Sequence, residues 1–423
     1  MTRPARRPDP GQVGRRTVLR GGVLGSVGAV ALATGVAAAP GPNAEDLKGS
    51  PTGELVEPFH GPWQAGILTP PQPHAAFVAL DLDPGTDREQ LARLMRIWTD
   101  DISRLMAGRA PVTDQEPELA ARVSGLTVTV GWGPPLFDKV GLERARPRWL
   151  QPVPDLTIDR LEPAWAQSDL LLQVAAHSPL TVAHARRLLV GAARGIASVA
   201  WVQTGYREPM ERHGWSMRNQ LGQVDGTVQP ELTTDGGRDL GLVVIGGRRL
   251  TGTSDATPAP GDMDPRWTGG SSLVLRRIEM DLDGWERADR VAREHLVGRD
   301  LTTGAPLSGG TVDTPVDLHA THPNGLPVID AAAHVRRAAP HAPEERFLRR
   351  PYMYEDVAPD GSTRAGLLFA AYQADPVRQF VPVQRRLAEA DLLNLYTTPV
   401  GSSVYALLPG CPEDGWLGEQ LLN

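Results

Sequence analysis

His334 closes the run Asp330-Ala331-Ala332-Ala333, and fifteen residues later Arg349 and Arg350 stand side by side in Phe347-Leu348-Arg349-Arg350-Pro351-Tyr352. The proline pushes the residue before it out of the helical region, so this second segment reads as extended. Roughly a hundred residues upstream, Asp225 sits in Gly222-Gln223-Val224-Asp225-Gly226-Thr227. Glycines on both sides of an acid let backbone approach a ligand closely. The three alanines before His334 offer a small-residue face that a flat cofactor could approach. Together these residue types suit an iron porphyrin that splits peroxide: a histidine to ligate iron, an acid to move a proton, and an arginine to stabilise developing charge. Each also has a plainer account. A lone helical histidine is more often structural, an Asp-Gly pair is a common turn, and an arginine pair is often a solvated charge couple.

The motifs these residues stand in resemble those of the dye-decolorising peroxidases, specifically the secreted, Tat-exported class, a group that includes the deferrochelatases. The family's G-x-x-D-G is present as Gly222 to Gly226, its H-x-R…P as His334, Arg336 and Pro340, and its L-R-R-x-Y as Leu348 to Tyr352. Further matches, in the family's order, are Phe59 to Ile67, Leu126 to Gly133, Asp169 to Gln173, Val297 to Arg299 and Pro399 to Gly410. The resemblance implies a non-covalent haem b with His334 as the proximal iron ligand. It implies Asp225 as the acid that moves the proton and Arg349 as the distal arginine, with Arg350 left as a surface or propionate-side charge. Arg299, and more weakly Arg336, would pair with haem propionates, and Gly226 and Thr227 would line the cofactor. Asp391 is the expected acceptor for the other ring nitrogen of His334. The implied fold is α+β: two ferredoxin-like domains of antiparallel sheet and helices in a dimeric α+β, barrel-like arrangement. The implied activity is oxidation of dyes, phenols or another organic reductant by hydrogen peroxide, and members of the family are often homo-oligomers. Three positions depart from the family pattern: Ala339 for asparagine, Pro351 for glycine and Gln223 for phenylalanine. None removes an ionisable group, so they bear on pocket shape more than on chemistry.

The rival reading is an exported haem- or iron-handling carrier, which would use the same His334 but would not need Asp225 and Arg349. A second is a binding module without a cofactor. His319 and His322 form an H-x-x-H pair without a nearby third ligand, which reads as a solvated loop. The chain contains no G-x-S-x-G elbow, P-loop or H-E-x-x-H, which argues against hydrolase, NTPase and zincin chemistry. If electrons leave a buried iron through side chains, Tyr352, Tyr354, Tyr396 and Trp215 are candidates, although buried aromatics are usually plain core.

Charge and termini narrow the setting. The formal net charge is −7. Residues 1–38 hold six arginines and one aspartate, a net +5, so the remainder carries −12. An acidic surface excludes nucleic acid as the main partner. Arg15-Arg16-Thr17-Val18-Leu19-Arg20 is a twin-arginine box, followed by a Gly- and Ala-rich apolar run ending in Val36-Ala37-Ala38-Ala39-Pro40. Residues 1–38 are therefore expected to be a cleaved signal read by the Tat translocation machinery, placing the protein outside the cytoplasm. Cys411 is the only cysteine, so there is no internal disulfide, no CxxCH for covalent haem and no cysteine cluster for zinc or iron–sulfur.

The elements that must position the site follow from pattern. Residues 39–55 read as a flexible lead-in, 56–210 as the first ferredoxin-like domain and 211–415 as the second, with a boundary near 205–220. In the first, strands are expected at 74–82, 126–130, 170–176 and 196–204. A helix begins at Thr86 as N-cap with Glu89 completing a capping box. It carries Leu91, Leu94, Met95, Trp98, Ile102, Leu105 and Met106 on one face and stops at Gly108. A second helix opens at Ser178-Pro179, and the segment 134–142 suggests a short one. In the second domain, 273–280, 367–373 and 403–408 read as strands and 285–297 as one helix. Another helix opens at Asp375-Pro376, kinked or delayed by Pro382. Residues 300–362 form an irregular excursion bearing the haem-binding stretch. Residues 230–268, polar and rich in Gly, Asp and Thr, read as a surface insertion.

Overall fold

The computed structural model describes residues 54–208, 216–232, 239–247, 264–358 and 360–423. The expected signal segment, nearly all of the lead-in, and Trp215 lie outside the described residues.

The strands are β1 (His74–Leu82), β2 (Thr127–Trp132), β3 (Leu170–Ala176), β4 (Ala197–Tyr206), β5 (Met217–Arg218), β6 (Val224–Asp225), β7 (Ser271–Met280), β8 (Leu348–Arg349), β9 (Tyr352–Val357), β10 (Thr363–Gln373) and β11 (Thr397–Leu407). The helices are α1 (Arg88–Met106), α2 (Pro117–Ala120), α3 (Pro134–Lys139), α4 (Pro179–Ala192), α5 (Leu240–Val243), α6 (Leu282–Arg287), α7 (Arg290–Val297), α8 (His334–Arg337), α9 (Phe380–Ala390) and α10 (Glu419–Leu422).

Among the described residues, nine strands form one sheet in the order β7-β11-β2-β3-β1-β4-β9-β10-β8, and β7 also pairs with β10. That extra pairing closes eight strands into a ring and leaves β8 at its margin. The ring is two quartets, β4-β1-β3-β2 and β11-β7-β10-β9, each in the ferredoxin-like order and each antiparallel. The joints are slender: two residue pairs between β11 and β2 and one, Tyr206 with Met353, between β4 and β9. Both quartets share one interior, because successive side chains on a strand face opposite sides. Phe77, Leu171, Leu273, Leu275, Tyr352, Tyr372 and Tyr405 fill the barrel. Val78, Leu80, Val130, Leu172 and Val404 face the outer layer.

α1 packs its expected face: Leu91, Leu94, Met95, Trp98, Ile102, Leu105 and Met106 are all buried. Its cap lies one residue later than expected. Asp87 accepts from Gln90 N, and the Gln90 side chain completes the box. Thr86 instead donates its hydroxyl to Ile196 O at 2.8 Å, tying the helix start to the end of the sheet. α4 opens as expected, with Ser178 as cap and Pro179 in the first turn.

The second half departs from expectation in two places, the split helix and the buried insertion. The helix expected over 285–297 is two, α6 and α7, because Asp281 and Asp289 each cap a separate start. The expected surface insertion contains a core segment. Leu240, Leu242, Val243, Val244 and Ile245 are buried, and Leu242 O accepts from Ala374 N and Gln379 Nε2. The apolar run Leu240-Gly241-Leu242-Val243-Val244-Ile245 forms part of the core in the barrel region, inside a segment whose average composition is polar. Pro382 delays its helix: α9 begins at Phe380, so the proline falls in the first turn, where a backbone N–H has no intrahelical partner.

Candidate active site

His334 begins α8, a single turn whose N-cap is the buried Ala333. What seats this turn is Gly298, the glycine of Val297-Gly298-Arg299. It has φ +87°, and a Cβ there would lie 2.4 Å from Val335 Cγ2. A glycine is required both by the left-handed backbone and by the contact. The imidazole is part-exposed, and its Nδ1 lies 2.6 Å from Asp391 Oδ2, the contact expected of Asp391. The second carboxylate oxygen of Asp391 caps the following turn by accepting from Leu393 N at 2.9 Å, and Leu392 N donates to Ala332 O. The acid is thus held at both oxygens, and through it the ring of His334 is oriented with Nε2 left for a ligand. Burial disfavours charge on this ring. The Asp391 carboxylate outweighs burial and holds the imidazole above its ordinary value, with Asp225 adding to the rise and Arg349 opposing it. These couplings place Asp225 and Arg349 within electrostatic reach of the ring.

Asp225 lies on β6, which pairs with β5 as a short hairpin. Asn219 builds the turn: its Oδ1 accepts from the N–H groups of Leu221 and Gln223 at 3.0 and 3.2 Å. Gln223, where the family pattern has phenylalanine, is buried in this turn, its Oε1 accepting from Asn219 Nδ2 at 3.1 Å. Gly222 and Gly226 take φ of +76° and +84°. Gly226 is buried and Thr227 half-buried in the segment that leads away from the acid.

Arg349 lies on β8, paired with β10. Its Nη1 is 3.3 Å from Asp225 Oδ1, and Nη2 donates to Val228 O at 2.9 Å. The two side chains are 23% and 16% exposed, so the pair is reachable yet shielded. The backbone of Arg349 is gripped by Gln229, whose Nε2 donates to Arg349 O at 2.8 Å and whose Oε1 accepts from Arg349 N at 2.9 Å. Sequence reasoning missed Gln229. Its only local signal is a polar residue before Pro230, and its partner is 120 residues away.

The other arginines divide. Arg350 corrects the surface alternative: it is fully buried. Neighbours in extended backbone point to opposite sides, so Arg349 meets Asp225 while Arg350 turns into the barrel. There it donates to the carbonyls of Gly66, Ile67 and Thr69 and lies 5.0 Å from the Tyr372 ring. Arg336 has committed Nε and Nη2 to the carbonyls of Leu318, Ile329 and Asp330, bracing the loop before the histidine. Arg299 is buried beside the acid's strand: its Nη1 donates to Gly304 O at 2.7 Å, and Gly304 packs on Val224. Burial, then the charge of Arg349, pull its guanidinium below the ordinary value. Arg299 has no acidic partner among the described residues, and a buried guanidinium in that position suits a carboxylate brought by a ligand.

Tyr352 and Tyr354 are buried in the barrel, and burial pushes the Tyr352 phenol up to about 12. Tyr396 stacks edge-on to Trp285 at 5.2 Å, and the Trp285 indole donates to Leu221 O in the acid's hairpin. His319 and His322 recruit no third ligand: among the described residues no group of three or more His, Cys, Asp or Glu converges.

An imidazole with Nδ1 anchored and Nε2 free lies within electrostatic reach of a carboxylate–guanidinium pair, with the buried Arg299 lacking an acidic partner among the described residues. This donor set fits an iron porphyrin that carries its own carboxylates.

Known proteins resemble this chain along most of its length. Residues 64–207 match the family described as Dyp-type peroxidase, N-terminal, and 216–412 its C-terminal counterpart. The chain is 37% identical over 374 residues to a dye-decolorizing peroxidase of Thermobifida fusca, covering 85% of this chain and 84% of that one. It is 33% identical over 430 residues to a deferrochelatase of Shigella flexneri, covering 97% of each. Among solved structures, a DyP-type peroxidase from Cellulomonas bogoriensis superposes with a TM-score of 0.81 at 47% identity, covering 88% of this chain and 100% of that one. One from Streptomyces coelicolor gives 0.79 at 37%, covering 88% and 98%. With family matches over most of its length, the chain belongs to the Dyp-type peroxidases and is an oxidoreductase of that family.

Proposed function

We propose that the protein uses hydrogen peroxide to oxidise an organic reductant such as a dye or phenol, with haem b as its cofactor. The observation that carries this reading is the Asp225–Arg349 pair in a chain that also holds the Asp391-anchored His334. When bound, the haem iron supplies the centre at which peroxide is cleaved and from which the reductant is oxidised. His334 holds that group through Nε2, and Asp391 keeps the ring oriented and electron-rich. Arg299 receives a propionate. Asp225 has Oδ1 engaged by Arg349, so Oδ2 is the atom that takes a proton from bound peroxide and returns it to the leaving oxygen. Arg349 stabilises the charge that develops on that oxygen. A carrier of haem or iron, the reading suggested by the deferrochelatase relatives, would have no use for this pair.

Export belongs to the same proposal. The twin arginines Arg15-Arg16, the small-residue run after them and the single cysteine support folding before Tat passage to a site outside the cytoplasm. Homo-oligomerisation rests on the family resemblance.

The test is the absorption spectrum of the purified protein before and after one equivalent of peroxide, alongside His334→Ala and Asp225→Ala. The Soret band should disappear in the first variant, and the peroxide-driven shift should slow in the second by about 100-fold or more. Haem that is present but inert to peroxide would favour the carrier. No Soret band after reconstitution would favour a binding module without a cofactor.

A further inference from the structure

We infer that Gln229 is a positioning residue for peroxide cleavage: its side-chain amide clamps the backbone of residue 349 and so fixes the Arg349 guanidinium against Asp225. The inference rests on the proposed role of that pair.

β8 consists of two residues, Leu348 and Arg349, and is paired on one side, with β10. On its other side a strand neighbour would satisfy the N–H and C=O of residue 349. Among the described residues no strand lies there; Gln229 takes its place. Its carboxamide presents one donor and one acceptor, the complement of a peptide edge, and makes both bonds at 2.8 and 2.9 Å. Replacing either end of the amide with an apolar group leaves a part-buried backbone polar group without a partner.

The clamp also joins two segments far apart in sequence. Gln229 follows Asp225 by four residues on the same loop, and Val228 O from that loop accepts from Arg349 Nη2. The Asp225–Gln229 loop and Arg349 are thus bound by four hydrogen bonds: two to the arginine's backbone from Gln229, and two to its side chain, from Asp225 and Val228. The side-chain pair alone is loose. Its ion-pair contact is 3.3 Å, and both groups are partly exposed, where an ion pair contributes little by itself. The two amide bonds are shorter and better placed to set the register. Positioning of this kind is worth much in catalysis, since a misplacement of about 1 Å can cost about 100-fold.

The experiment uses the haem-loaded protein and compares Gln229→Ala, Arg349→Ala and the double variant. Three quantities are measured: kcat/KM for peroxide, KM for the reductant, and the affinity for cyanide read from the Soret shift. Gln229→Ala should lower kcat/KM for peroxide by about 10- to 100-fold and weaken cyanide, while the reductant KM stays within twofold. In the Arg349→Ala background, Gln229→Ala should change either quantity by less than threefold, because the guanidinium it positions is gone. Gln229→Asn, one methylene too short to reach both groups, should behave like Gln229→Ala. A Gln229→Ala protein with wild-type peroxide kinetics beside an impaired Arg349→Ala overturns the inference and leaves the peroxidase reading intact. Equal losses from Gln229→Ala in both backgrounds also overturn it, assigning Gln229 a general structural role. An Arg349→Ala protein that reacts with peroxide as fast as wild type overturns the peroxidase reading itself.

Discussion

The two quartets of the barrel have the same strand order and opposite ways of covering it. Behind β1–β4 lie α1 and α4, long helices with buried Leu, Met and Trp against the sheet. Behind β7 and β9–β11 the helices are short, and arginines bonded to backbone carbonyls do much of the joining. Arg218 reaches Gly222, Leu301 and Thr302. Arg336 reaches Leu318 and Ile329. Arg337 and Arg386 tie α8 to α9. Apolar packing leaves little space between layers, whereas loops braced by hydrogen bonds can stand apart and hold a site between them. The difference teaches that one half of this chain stores stability in burial and the other spends structure on geometry.

That contrast makes a set of predictions. The largest stability loss should come from Trp98→Ala in the first half, which removes a buried indole and its bond to Leu189 O. It should lower unfolding free energy by about 3–5 kcal/mol, read by denaturant titration, while the Soret spectrum of the folded fraction is unchanged. Asp391→Asn in the second half should do the reverse, reducing haem retention by about 10- to 100-fold with little change in secondary structure by circular dichroism. Gly298→Ala should also loosen the histidine more than the fold, by displacing Val335 from its seat. A haem-transfer assay to apomyoglobin would detect it, and a large drop in melting temperature without haem loss would break the contrast.

Smaller effects test the edges. Asp87→Ala removes the cap of α1 and should cost about 1 kcal/mol, with peroxide kinetics unaltered. The least is expected at Glu279. Its hydrogen bond to Arg364 holds the carboxyl below its ordinary value against the opposing pull of burial. A carboxyl depressed on folding contributes stability above its unfolded value and loses it as pH falls through the folded one. Glu279→Gln should therefore lower the melting temperature slightly at neutral pH, by at most about 1 kcal/mol equivalent. The difference from wild type should vanish at strongly acid pH.

Much of this was legible in the chain. The boundaries of β1 and β3 follow from alternation and apolar runs, and the buried face of α1 from its spacing, because those patterns are imposed locally by the backbone period. The motif residues His334, Asp225 and Arg349 were singled out for the same reason: residue type and near neighbours mark them. What could not be read were relationships between distant segments. The motif singles out Arg349, but that Arg350 turns into the barrel depended on the phase of a short extended segment against β10. The burial of Leu240–Ile245 was hidden in a polar stretch.

The sequence by itself therefore determined the elements, the family and the reacting residue types, since these depend on periodicity and on side-chain chemistry. Only the tertiary structure decided the pairings that no motif marks: Gln229 on the backbone of Arg349, and Gly298 under Val335. Each joins segments separated by tens to more than a hundred residues, and closure of the barrel is what brings such segments together.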